Sequence, residues 1–516
     1  MSNSYANILC TTKSAANAFA GSALPVFDTD LSSVAFSSKV SRDITWDQSA
    51  GTITFSKAGV YHVVFTAHTS QATAVGVQTV TFDVGGVVKY TGTSYFNLGY
   101  EPKESTFQRI LSFAAGDVLT VKMLTSAGTA GLEKGASLII TEITSGDYAS
   151  STVSTISGDV GAGQINPFDT DITNAAAIAD DHKIANGIAF TADEGKMTVP
   201  RAGKYLIMVT NLFNANASSG VNVNLYMYLN KNSATHSGAI QTQIVKMRNN
   251  DDPSENTFCA IEDLDADDYI TATWNAAGPT AALVMPGCSL TIYRLGEFDT
   301  AHANPKKRGQ DKYLSLVNLA AMTATASEVN PWDEDSYSSA SWDSRSSSGI
   351  THSASAGTFT VDAPGLYVLF FNPILQINSG DTITMKVKVN GATLVTADTV
   401  RISSDPDPLD RGLSAFLALK AGDVITITLD AASNNVGFNT GSSITIFRYS
   451  PFTKRRGAPT GRIKNDHSLD TFSIENLTAQ YEGNADQVPF SLGIRGRISR
   501  GRTTAPTVTG GGTTKK

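Results

Sequence analysis

Cysteine is scarce in this chain: Cys10, Cys259 and Cys288 are the only three among 516 residues. An odd, widely spaced set is no disulfide framework, so stability must come from buried apolar surface. Cys259 lies in the apolar run Phe258-Cys259-Ala260-Ile261 and Cys288 precedes a hydrophobic segment. Both read as buried free thiols; a Cys259–Cys288 bridge is the alternative. Long hydrophobic runs are also missing, and none reaches the ~18 apolar residues of a membrane span. There is no Gly-X-Y tract of a collagen-like stalk. The opening Met1-Ser2-Asn3-Ser4-Tyr5-Ala6-Asn7 has neither the basic nor the apolar region of a secretion signal. The expectation is therefore synthesis and assembly in a cytoplasm.

Catalytic patterns are missing too. None of the seven histidines belongs to an HExxH motif or to Cys/His zinc spacing. There is no Gly-x-Ser-x-Gly elbow and no P-loop. The reading is a protein without a catalytic site, cofactor or resident metal. His62, beside Tyr61 on a strand-like segment, is expected to face outward rather than act as a ligand.

What the chain does have is one motif three times. Residues 51–65 read GTITFSKAGVYHVVF, residues 195–209 GKMTVPRAGKYLIMV, and residues 357–371 GTFTVDAPGLYVLFF. Each ends in Gly-x-Tyr and an apolar run, at Gly59-Tyr61, Gly203-Tyr205 and Gly365-Tyr367. Upstream stand Pro25-Val26-Phe27-Asp28-Thr29-Asp30, Pro167-Phe168-Asp169-Thr170-Asp171 and Pro331-Trp332-Asp333-Glu334-Asp335. Downstream, an Ala-Gly-Asp turn enters a strand at Gly116-Asp117 and Gly422-Asp423; the second copy has Asp267-Asp268 instead. Each copy closes on a hydrophobic strand, at residues 135–143, 287–295 and 441–449. A period this long exceeds the ~20–50 residues of a solenoid unit, so the repeat is a whole domain.

Thr52–Phe55, Val223–Leu229 and Thr382–Val389 alternate apolar and polar residues, as half-buried strands do. Asn390-Gly391 is a two-residue hairpin signal. About eight short strands fit each copy, which predicts an all-β chain of three tandem antiparallel jelly-roll sandwiches. The expected boundaries are an N-terminal arm over 1–20, sandwiches over 21–143, 164–295 and 311–449, and a C-terminal tail over 450–516. Residues 144–163 and 296–310 read as linkers. Three ~145-residue domains in a row predict a rod on the order of 110 Å.

Charge separates body from tail. Residues 449–516 hold 11 Lys and Arg against 5 Asp and Glu; with a net charge of −8, the preceding 448 residues carry −14. Basic residues cluster at Lys454-Arg455-Arg456 and at Arg495, Arg497, Arg500 and Arg502. Docking on an acidic partner, a solvated tail and nucleic-acid contact are the three readings. Stacking aromatics are sparse there, which places nucleic acid last. A short helix is predicted over Ser468–Leu477.

The ordered landmarks resemble the globular head domain of complement-type and tumour-necrosis-factor-like proteins. The resemblance covers residues 21–449 and weakens at Asp267. It implies a compact jelly roll that assembles as a homotrimer. Phe27, Phe168 and Trp332 are then expected to plug a sandwich end or a subunit seam, and Tyr61, Tyr205 and Tyr367 to line the core or the interface. The Asp28/Asp30, Asp169/Asp171 and Asp333/Asp335 pairs read as solvated turns, with calcium ligation as the alternative. Animal members of this class carry signals and stalks; their lack here points to a virion protein of a phage or virus. A head-fibre, decoration or tail-fibre subunit would dock on capsid or tail proteins and face a host receptor or glycan. The alternatives are a cell-surface or secreted lectin-like receptor-binding protein and a glycan-cleaving tail spike.

Overall fold

The computed structural model describes residues 4–451 except 12–18, 20, 30–34, 72–75, 97–102, 127–129, 155–156, 161–163, 171–182, 217–222, 248–252, 278–280, 296–311, 319–321, 325–327, 335–341, 378–381, 402–408, 411 and 432–435. The predicted tail helix and the basic residues Lys454, Arg455, Arg456, Arg495, Arg497, Arg500 and Arg502 lie outside the described residues.

The described chain is built from antiparallel strands forming two facing sheets in each of three sandwiches, and the third carries a further four-stranded sheet, Met322–Ala324, Val436–Phe438, Ile374–Ile377, Leu409–Asp410. In the third sandwich the inner sheet runs Trp342–Ser348, Tyr313–Asn318, Ser443–Pro451, Gly365–Asn372, Leu413–Leu419. Its outer sheet runs Ile350–Ser353, Thr358–Val361, Val424–Ala431, Thr382–Val389, Ala392–Arg401. Sequence-distant strands pair within each sheet, and hairpin neighbours lie in the outer sheet, which is the jelly-roll order. The first sandwich repeats it with Phe36–Arg42, Tyr5–Cys10, Ser137–Glu142, Gly59–Gln71 and Lys103–Phe113 inside. The second does so with Lys183–Asn186, Tyr148–Thr152, Ser289–Arg294, Gly203–Asn216 and Pro253–Leu264.

Two sequence expectations give way here. Residues 1–20 were expected to form an arm, yet Tyr5–Cys10 is a fully buried strand paired with Ser137–Glu142. Residues 144–163 were expected to be a linker, yet Tyr148–Thr152 pairs with Ser289–Arg294. Each sandwich thus opens on its own Tyr-led strand, at Tyr5, Tyr148 and Tyr313. The sandwiches begin at residues 5 and 148 rather than 21 and 164. Small and hydroxyl-bearing residues hid these strands, because both of their faces are covered and no polar face marks the alternation.

The turns follow from local chemistry. Gly85-Gly86 (φ +57° and +84°) and Asn390-Gly391 (φ +51° and +83°) make the left-handed pair that a two-residue hairpin needs. Gly116 and Gly422 lie at φ +91° and +88°, and Asp267 holds the same place at φ +69°. The second copy therefore keeps the turn, with strain that glycine avoids.

Candidate functional site

The repeat landmarks lie in sandwich cores and turns. Tyr61, Tyr205 and Tyr367 point into the sandwich cores and are fully buried. Each hydroxyl donates to the carbonyl four residues earlier: Tyr61 to Lys57 (2.9 Å), Tyr205 to Arg201 (2.7 Å) and Tyr367 to Ala363 (2.7 Å). The bond fixes the turn ahead of the strand and satisfies a phenol in an apolar core. Burial pushes the Tyr205 hydroxyl up to about 12. Gly59, Gly203 and Gly365 start these strands, where a Cβ would meet the Tyr61 ring, the Arg294 side chain and the Arg448 side chain respectively.

Phe27, Phe168 and Trp332 are also fully buried. Phe27 packs on Phe36 and Phe65, and Trp332 on Phe359, Phe371 and Phe438. They plug sandwiches, not seams. A residue that sequence reading missed sets their turn. Asn166 Oδ1 accepts from Phe168 N (2.9 Å), and its Nδ2 donates to Glu194 and Gly195 carbonyls. Asn330 does the same for Trp332, with Ala356 and Gly357. The signal was Asn-Pro-aromatic, present in two of the three copies.

The acidic residues of the later turn are caps. Asp117, Asp268 and Asp423 accept from the backbone N–H of Ala114 (2.7 Å), Asp265 (2.8 Å) and Lys420 (2.7 Å). Asn232 and Asn390 brace Asp268 and Asp423 from the neighbouring hairpin, at 2.5 and 2.9 Å. Of the paired carboxylates considered for calcium, Asp30, Asp171 and Asp335 lie outside the described residues. Among the described residues no three His, Cys, Asp or Glu converge as a metal cluster. Cys10, Cys259 and Cys288 are buried and form no disulfide. Burial pushes the Cys259 and Cys288 thiols up to about 12, away from thiolate chemistry.

The built feature of this molecule is the set of seams where inner sheets meet. Inner strands are buried on both faces: every residue of Gly365–Asn372, Leu413–Leu419 and Ser289–Arg294 is covered. One face packs on the outer sheet and the other on a neighbouring sandwich. At the first seam, Gln108 Nε2 donates to the Met208 carbonyl (3.0 Å), and the Tyr90 hydroxyl donates to the Gly287 carbonyl (3.1 Å). At the second, Thr445 Oγ1 donates to the Cys259 carbonyl (2.9 Å), Ile261 N to Ser315 Oγ (3.4 Å), and Gln243 Nε2 to the Gly441 carbonyl (3.2 Å). At the third, Ser414 Oγ lies 2.9 Å from Ser137 Oγ and 3.3 Å from Thr66 Oγ1. Tyr449 closes that seam. Its hydroxyl donates to the Ser4 carbonyl (2.7 Å) and accepts from Glu142 N (2.8 Å), and its ring packs against Tyr5.

The first and third sandwiches are therefore in contact, so the expected row of three is not what the chain forms. The same turn makes the contact each time. Gly135, Gly287 and Gly441 have φ of +102°, +96° and +93°. A Cβ at Gly135 would lie 2.5 Å from the Ala397 Cβ, one at Gly287 2.4 Å from Gly92 Cα, and one at Gly441 2.3 Å from the Thr242 carbonyl. Left-handed backbone and close approach both demand glycine here.

His62 belongs to the first seam. It faces away from its own core, as expected, but is 1% exposed because the second sandwich covers it. Its Nε2 lies 2.7 Å from Gln108 Oε1, and its ring packs edge-on to Tyr293. Burial pulls its pKa down to about 4, opposed by the Gln108 hydrogen bond. The seam ends are braced differently. Glu142 pairs with Lys57 at 2.6 Å, whereas Asp147 takes Arg201 at 2.6 Å and Arg294 at 3.2 Å. The closing strands of all three sandwiches also border a small open cleft, lined by Glu142, Arg294, Phe447 and Tyr449 among others.

No protein-family model matches the chain, and no curated protein does. Solved structures give partial likenesses. A tumour necrosis factor of S. frugiperda, Eiger, is 16% identical, with 30% of this chain and 100% of that one covered and a TM-score of 0.22. Murine APRIL at pH 8.5 is 14% identical, over 27% of this chain and 98% of that one, with a TM-score of 0.20. The jelly-roll assignment rests on the sheet order itself. The chain is a multi-sandwich jelly-roll protein.

Proposed function

We propose that this chain is a structural subunit of a phage or virus particle, a head fibre, decoration or tail-fibre protein without enzymatic activity. The observation that supports the reading is the completeness of the seams. The body buries its inner-sheet faces against itself, and its stability uses packed apolar surface rather than disulfides. Attachment then falls to the basic segment beyond residue 451, which suits an acidic capsid or tail surface. The outer sheets and loops are left to face a host receptor or glycan. A homotrimer of chains, which the family resemblance implies, would have to use faces other than these seams.

Immunogold labelling of purified particles from the source of the gene tests this. Label on particles is the expected result. Label confined to cell envelopes, with none on particles, would instead support the lectin-like cell-surface reading.

A further inference from the structure

We infer that one chain is by itself a complete, closed three-fold unit, a single-chain pseudo-trimer that is monomeric in solution. The cyclic direction of the contacts carries this. The glycine turn of the first sandwich sits on the third (Gly135 on Ala397), that of the second on the first (Gly287 on Gly92), and that of the third on the second (Gly441 on Gln243). The strand Lys103–Phe113 and its counterparts make the return contacts of the same three seams, in the opposite sense. Gln108 reaches the second sandwich, Cys259 the third, and Ser414 the first. Three steps in one rotational sense return to the start, which is the definition of closed cyclic assembly.

The side chains are fitted to unlike neighbours. Gln108, Cys259 and Ser414 occupy one register position, because Gly59 pairs with Phe113, Gly203 with Leu264 and Gly365 with Leu419. The long Gln108 spans to a backbone carbonyl, whereas the short Ser414 fits between Thr66 and Ser137. Tyr449 gives an independent argument. Its counterparts at the ends of the other two closing strands are Ile143 and Leu295, which carry no hydroxyl. Only the third sandwich holds the group that bonds Ser4 and Glu142 of the first. Rings made of like sandwiches from three chains would place none of these pairs together. A row would leave an end face of Ile, Phe and Tyr side chains in water. Each closed body also carries one copy of the basic tail instead of three; on the reading of the tail as a dock, attachment is monovalent.

The test is a pair of cysteines across the closing seam in the full chain, Ser137→Cys with Ser414→Cys, where the native hydroxyls are 2.9 Å apart. After mild oxidation, non-reducing electrophoresis should show a faster single-chain band that reverts with reductant and is absent from either single variant. Chains linked into dimers or trimers would overturn the inference. A second pair, Thr66→Cys with Ser414→Cys, guards against poor geometry at the first. Both pairs remaining reduced, in protein with an unchanged β-type circular dichroism spectrum, would also overturn it.

Discussion

The outer and inner sheets of each sandwich are made from similar residues and obey different rules. The outer strand Val118–Thr125 alternates strictly between half-exposed and buried positions, and Thr358–Val361 does the same. The inner strands Ser137–Glu142 and Leu413–Leu419 are buried at every position. An outer strand answers only to its own core, while an inner strand answers to its core and to the next sandwich. Period-2 alternation is therefore the signature of a sheet with one wet face. Its loss, with Ser, Thr and Gln retained, marks a sheet whose second face is a polar, hydrogen-bonded seam.

The largest break in this comparison is expected at the seam turns. Gly287→Val forces a β-branched side chain into left-handed backbone and against Gly92, and should cost about 3 kcal/mol or more, read as a lower urea midpoint. Gly116→Ala has the same backbone sign with nothing within 4 Å, and should cost only about 1 kcal/mol. Equal costs would mean that the seam contact contributes nothing.

Acid should act next, through His62. Its folded pKa, about 4, lies below the ~6.5 of an unfolded histidine, so the unfolded chain binds the proton more readily. Its contribution is fully present above pH ~6.5 and is lost as pH falls toward 4, by about 3 kcal/mol. His62→Leu, which copies Leu206 of the second sandwich, should flatten that part of the stability–pH curve; an unchanged slope would place the titration elsewhere.

Tyr449→Phe keeps the ring and strips the hydroxyl from the Ser4 carbonyl and Glu142 N–H, costing roughly 1–3 kcal/mol. Faster amide exchange at residue 142 would locate the damage at the closing seam. The smallest effect is expected at an exposed turn. Asp267→Gly relieves left-handed strain at an exposed position and should raise stability by about 0.5 kcal/mol, the more flexible unfolded chain offsetting part of the gain.

These differences explain what was legible beforehand. The outer-strand segments Thr52–Phe55, Val223–Leu229 and Thr382–Val389 stood out because one face is wet. Gly59, Gly203 and Gly365 with their tyrosines stood out because a turn and a core plug need those residue types. The Tyr5 and Tyr148 strands did not, since Ser150 bonds Thr291 inside a seam (2.9 Å) where sequence suggests a solvated linker. Nor did closure of the first sandwich on the third. The residues that join them, Ser137 and Ser414, lie 277 positions apart and look like ordinary strand serines. Asn166 and Asn330 escaped because the first copy has Pro25 where the clamp would be: a Cβ at Gly51 meets Pro25, as one at Gly195 meets Asn166.

Closure of three sandwiches within one chain is the centre of this account, and solution mass tests it most directly. Light scattering coupled to size exclusion should give 54.4 kDa, the mass of one chain. A particle of three times that mass would contradict a closed chain that is monomeric in solution.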